Sequence, residues 1–355
     1  MQKTILALAL VSTSLLAIPQ GVAQTGETVS PAITLDQSAP PSLSSSLQAV
    51  MQSHPRLQAA KASLEATSAH LRAADKALYN PEFELDVEQA EIDKGYIQIG
   101  QTLDLRNQRG ARTQVAEAEL AGAKAEYLLA IQGLSRDLLV VLAKDRTARE
   151  LVKLANQGLE LMRQFADISE QRYKAGDINQ VDLDLARLAY NESLMVHANI
   201  LAEAAAARQE LHALFVNLPA PLPELPESMP KPELPKDLET FIRTLPVMHV
   251  REAQVAATRH TIKLRESERS WDPTIALRGG KEEQESLIGA TITIPLNIRN
   301  TYQAEVDVAR QNLIQNEHSA LMAYRKQRAT VLASTEQYQL LRNAWQNWDK
   351  TGRIS

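Results

Sequence analysis

The sequence predicts a mainly α protein with β: long antiparallel helical hairpins joined to four β-strands. Gly is scarce, at 13 in 355 residues, and aromatic residues make up only 4%, which is low for an all-β chain. Long Pro-free runs of Ala, Leu, Glu, Gln and Arg favour helices instead. Two stretches depart from that pattern by strict alternation, and the second half of the chain echoes the first.

Residues 1–23 read as a signal peptide: Lys3 is followed by an apolar core from Ile5 to Ile18, with Gly21 and Ala23 as small residues at a cleavage site. Residues 24–46, rich in Ser, Pro and Thr, read as an extended segment. Repeat 1, 47–216, opens with a helix that runs to the break at Tyr79, Asn80 and Pro81.

A β-hairpin over 82–105 follows. Phe83, Leu85 and Val87 alternate with Glu82, Glu84, Asp86 and Glu88, and after a turn at Asp93, Lys94 and Gly95 the apolar positions are Ile97, Ile99, Leu103 and Leu105. Each arm is about 10 residues long, which suits a tilted bilayer strand as well as a soluble sheet. From Ala111 to Arg172 there is no Pro, so a helix of roughly 93 Å is expected, with Ala116, Ala118, Ala121, Ala123, Ala125 and Ala130 allowing close neighbours. A tip turn at 172–183, marked by Gly176 and Asp177, leads into a return helix. The linker 217–236 carries seven Pro from Pro219 to Pro235 and divides the chain.

Repeat 2, 237–355, supplies helix, hairpin (274–298) and long helix again. "YNPEFEL" at Tyr79 matches "WDPTIAL" at Trp271, and Ile288, Ala290, Ile292, Ile294 and Leu296 reproduce the alternation. It contains no second copy of "QRYKAGDINQVDLDLA", so the chain is expected to be C-terminally truncated and its function as an isolated form limited.

A net charge of −5 argues against nucleic acid, and zero Cys excludes thiolate sites, disulfides and a lipid-attachment cysteine. The seven His never form HxxxH or HExxH, and no glycine-rich loop or GxSxG occurs, so the chain does not read as an enzyme and calls for no cofactor. His197 beside Met195 and His249 beside Met248 read as ordinary helix-surface residues ahead of soft-metal contacts.

The order of "QTLDLRNQRGAR", "RYKAGDINQVDLDLA" and "ITIPLNIRNTYQAEVDVA" resembles the outer-membrane factor (TolC-like) family, the exit ducts of tripartite efflux systems, over about Leu47 to Trp345. The junction motifs most resemble its heavy-metal branch. Four strands cannot close a barrel, and two chains would leave no lumen, whereas three chains form a shared 12-strand trimeric β-barrel with a channel. The resemblance implies a homotrimer in outer-membrane lipid with a periplasmic helical part, a periplasmic adaptor protein and an inner-membrane (RND-type) pump as partners, and passive export of metal cations or small toxic compounds. It places adaptor docking at Arg172, Tyr173, Gly176, Asp177, Val181, Asp182 and Leu183. It turns Phe83, Leu85, Val87, Ile97 and Ile99 to lipid and Glu82, Glu84, Asp86 and Glu88 to the lumen, an acidic row that would favour cations. The competing reading is a periplasmic coiled-coil adaptor or scaffold without a barrel.

Overall fold

The computed structural model describes residues 41–89, 94–215, 222–226 and 231–352. The signal-peptide reading and most of the segment 24–46 lie outside the described residues. The elements run α1 (Pro41–Ser53), α2 (Pro55–Ala74), β1 (Glu82–Glu88), β2 (Lys94–Thr102), α3 (Gln108–Lys174), α4 (Gln180–Leu214), α5 (Leu238–Arg243), α6 (Pro246–Glu268), β3 (Thr274–Glu282), β4 (Glu285–Thr293) and α7 (Gln303–Gly352).

Several boundaries differ from the sequence reading, each for a local reason. Residues 41–46, expected to be extended, already belong to α1, whose Leu43, Val50 and Met51 are buried in the main apolar cluster. The single helix expected from Leu47 is two: Pro55 begins α2, where its missing N–H leaves no orphan donor, and His54 caps it by accepting from the Arg56 N–H at 3.1 Å. Pro246 begins α6 in the same way after the short α5. The expected turn at Asp93, Lys94 and Gly95 is also shifted, because Lys94 and Gly95 pair as the first residues of β2, while Asp93 lies outside the described residues.

α3 is the mast of the molecule, 67 residues and about 100 Å long. It starts at a cap that explains the RNQRG motif. Asp104 accepts from the Gln108 and Arg109 N–H groups at 2.7 and 2.9 Å, Asn107 takes a left-handed φ of 55°, and its side chain accepts from Gly110 N at 3.2 Å. A Cβ at 110 would collide with the Asn107 side-chain amide, which would have to move and give up this cap.

The first half of α3 lies between α2 and α6, tied by Arg56–Asp137 at 3.0 Å and Arg109–Asp75 at 2.9 Å on the α2 side. Ala116, Ala118, Gly122 and Ala125 are buried in this stretch, whereas Ala121 is exposed. A Cβ on Gly122 would stand 3.4 Å from that of Ala253, so the small residues set the α3–α6 spacing. The second half runs antiparallel to α4, linked by Lys144–Glu210 and by His197 to Asn156. These exposed pairs contribute little individually. The apolar core sits midway, where Leu134, Leu138 and Leu142 of α3 meet α1, Leu57, Leu211 and Phe215, with Leu222 and Leu225 of the linker packed against it. Truncating Leu134 or Leu138 there costs roughly 2–5 kcal/mol.

The four strands form one antiparallel sheet in the order β1-β2-β3-β4. β2 pairs with β3, so the seam between the repeats is a full ladder from Lys94↔Glu282 to Thr102↔Thr274. The sheet ends at Thr102 and Thr293, short of the expected 105 and 298, although the alternation of side chains continues beyond both points.

Candidate channel wall and tunnel tip

The register sorts the sheet into two faces with different chemistry. One face stacks Phe83, Ile99, Leu277 and Ala290 in a row, then Leu85, Ile97, Gly279 and Ile288, with Ile275 and Ile292 paired nearby. These side chains are exposed, Ile288 to 94% and Phe83 to 68%, an arrangement that water penalises and hydrocarbon accepts. All the residues expected to face lipid lie here.

The opposite face carries Glu82, Glu84, Asp86 and Glu88 on β1, an exposed edge strand. The face is not uniformly acidic, however. Glu84 accepts from Gln98 Nε2 at 2.9 Å, Lys94 pairs with Glu282 at 2.8 Å, the Tyr96 hydroxyl donates to Glu282 at 3.3 Å, and the Arg278 guanidinium lies 5.5 Å from the Tyr96 ring centre. Gly280 makes room for this cluster, since a Cβ there would clash with Gly95 O and the Tyr96 ring. Sequence reasoning missed Lys94, Tyr96, Arg278 and Glu282. The alternation within β3 places Arg278 and Glu282 on one face, but only the β2–β3 register brings them to Tyr96 and Lys94.

A polar clasp joins sheet to helices. Asp272 Oδ2 accepts from the Tyr79 hydroxyl at 2.8 Å and from Gln108 Nε2 at 2.6 Å, and both Asp272 and Gln108 are buried. Burial, together with the hydrogen bond to and charge of Asp272, pushes the Tyr79 hydroxyl up to about 12. The "YNP" and "WDP" motifs thus meet through Tyr79 of one and Asp272 of the other.

At the far end, α3 closes with a Schellman turn: Gly176 has φ 84°, its N–H donates to Tyr173 O at 3.0 Å, and the Asp177 N–H donates to Arg172 O at 2.9 Å. Asn179 then caps α4 by accepting from Asp182 N at 3.0 Å. Tyr173 and Val181 are exposed, to 40% and 65%, as are Arg172, Asp177 and Asp182. Leu183 is only 2% exposed and serves hairpin packing. Lys174 beside Glu170, at 3.0 Å, holds that carboxyl below its usual range.

Among the described residues no group of His, Asp and Glu could hold a metal ion, and no helix is long and apolar enough to cross a membrane. His70 lies 3.2 Å from Glu119 and His249 3.6 Å from Glu252, as helix-surface pairs.

Residues 46–215 match the family model for outer membrane efflux protein. No curated protein matches the chain. Among solved structures, one of CusC, described through the conformational changes accompanying folding and transmembrane channel formation, superposes with a TM-score of 0.70 at 14% identity, covering 88% of this chain and 80% of that one. The Campylobacter jejuni CmeC outer membrane channel gives 0.68 at 13% identity, covering 88% and 75%. The open state of the Neisseria gonorrhoeae MtrE outer membrane channel gives 0.68 at 16%, covering 88% and 77%. With the repeat architecture and the two-faced sheet, these likenesses give the chain the fold of the outer-membrane efflux channels, and residues 46–215 are similar to the outer membrane efflux protein family.

Proposed function

We propose that three copies close a barrel of twelve strands, β1 of one copy pairing with β4 of the next, to form the passive exit duct of a tripartite pump. β1 and β4 are the two edges of the sheet, and unpaired edges are not tolerated in lipid, which favours closure by other copies. The tip at Arg172, Tyr173, Gly176, Asp177, Val181 and Asp182 is where a periplasmic adaptor, carrying an inner-membrane RND-type pump, would dock. Leu183 supports that tip from inside the hairpin.

The cargo we assign is cationic: metal cations or small positively charged toxic compounds. The observation that carries this is the β1 row of Glu82, Glu84, Asp86 and Glu88, of which only Glu84 has a side-chain hydrogen-bond partner among the described residues. The neighbouring β4 of a closed barrel would present Glu285, Leu287, Gly289, Thr291 and Thr293 on the same face, which brings no further cation to the row beyond Lys94 opposite Glu88. The adaptor reading without a barrel does not account for the exposed apolar face of the sheet.

The test is export in cells lacking their native duct, with the chain supplied alongside an adaptor and pump. Restored tolerance to a toxic divalent cation, lost in the variant E82Q/E84Q/D86N/E88Q, is expected. Equal protection by both forms would overturn the cationic assignment.

A further inference from the structure

Where the sheet turns into helices, Arg106, Glu266, Arg269, Asn297 and Thr301 line a cavity of about 510 Å³. It is contributed by the ends of β2, β3 and β4 together, through the segments that lead to α3, from α6 and to α7. Two guanidinium groups converge on it. Arg106 is exposed and makes no hydrogen bond or ion pair among the described residues. Arg269 donates Nε to Thr301 O at 3.2 Å, which leaves its terminal nitrogens free of protein partners among the described residues. The one carboxylate present, Glu266, is bound to Arg310 at 3.2 Å and its charge is thereby offset. Asn297 Nδ2 donates to Arg269 O at 3.3 Å and to Ser270 O at 3.4 Å, which steadies the rim.

The cavity also sits at a particular depth. The apolar face of the sheet continues past the last strand pairs through Leu105, Leu296 and Ile298, exposed to 63%, 72% and 81%. From Gly95 to Leu105, about ten residues of tilted strand, the apolar band is about 25 Å tall, the height of a bilayer's hydrocarbon on a barrel wall. Trp271 and Tyr302, exposed to 54% and 36%, mark its lower edge as interfacial aromatics do. Below an apolar band and an aromatic edge, in a sheet set in a bilayer, come the phosphates of the lipid headgroups.

We propose that this cavity binds a phosphate ester, supplied by the headgroup of a phospholipid in the periplasmic leaflet. Arginine forks match phosphate oxygens in pairs, and basic pockets at helix ends near a membrane surface suit such headgroups. The bound lipid would join the β2, β3 and β4 junctions at the point where barrel becomes tunnel.

The experiment is native mass spectrometry of the full chain in detergent, with phosphatidylglycerol or diacylglycerol added, and calorimetric titration with inorganic phosphate as a separate arm. Preferential retention of phosphatidylglycerol, reduced about tenfold by Arg106→Ala and partly restored by Arg106→Lys, is expected. Arg106→Ala removes no internal bond, so folding is not at stake. Arg106-dependent binding of inorganic phosphate without any lipid preference would overturn the lipid source, and equal retention of both lipids by wild type and variant, with no phosphate binding, would overturn the site. Loss of the barrel itself would show separately, as absence of pores in a lipid bilayer.

Discussion

The two β-hairpins descend from one repeated pattern, yet their faces have not stayed equally alike. On the apolar side β1–β2 presents Phe83, Leu85, Ile97 and Ile99, and β3–β4 answers with Ile275, Leu277, Ile288 and Ile292. On the other side β1 carries four carboxylates, while β4 carries Glu285, Leu287, Gly289, Thr291 and Thr293. On the proposed reading, hydrocarbon accepts only apolar side chains and so would hold one face constant. A watery lumen would accept many residue types, leaving the other face free to acquire charge or to pack locally, as Tyr96 does over Gly280.

The largest effect is expected where the constant face is violated. Leu85→Arg, near the middle of the apolar band, should cost about 2–4 kcal/mol and abolish heat-resistant folded barrel on a semi-native gel, whereas Gln98→Arg on the lumen side should leave it assembled. Equal loss in both would erase the distinction between the faces. Next comes a pair of adjacent glycines. Gly280→Val must displace Tyr96 or the Gly95 backbone, at about 1–3 kcal/mol or more, while Gly279→Val meets nothing within 4 Å and should be tolerated. Thermal unfolding of the two variants checks this.

The tip offers a contrast with the sheet. Gly176→Val forces a β-branched residue to φ 84°, a strain of roughly 1–2 kcal/mol confined to the turn. Export should fall while barrel assembly stays normal, and undiminished export would remove adaptor docking from this turn.

The smallest effect concerns the clasp between repeats. The Tyr79 hydroxyl is raised to about 12 from an ordinary value near 10. Its proton is held more tightly in the folded state, so the stability it contributes is complete below pH about 10 and is lost as pH rises toward 12. Ultraviolet titration should find one late-ionising tyrosine that Asp272→Asn shifts back toward the ordinary range.

Much of this architecture was legible in the sequence. Period-two alternation located both hairpins, and the long Pro-free run located α3. Strand ends were overestimated because Leu103, Leu105, Ile294 and Leu296 keep alternating after the ladder stops. Lys94 read as a turn residue because its partner, Glu282, lies in the other repeat, and no local pattern reveals a register set by β2–β3 pairing. At the tip, Gly176 announced the left-handed turn, but the burial of Leu183 depends on how α4 meets α3.

The central claim, that the sheet lines a transmembrane pore whose β1 carboxylates face the lumen, is tested most directly by the reversal potential of the purified protein in a planar lipid bilayer under a salt gradient. The account predicts a cation-selective pore, with the selectivity reduced and the conductance retained in E82Q/E84Q/D86N/E88Q. An anion-selective pore, or a reversal potential indifferent to those four substitutions, would contradict it.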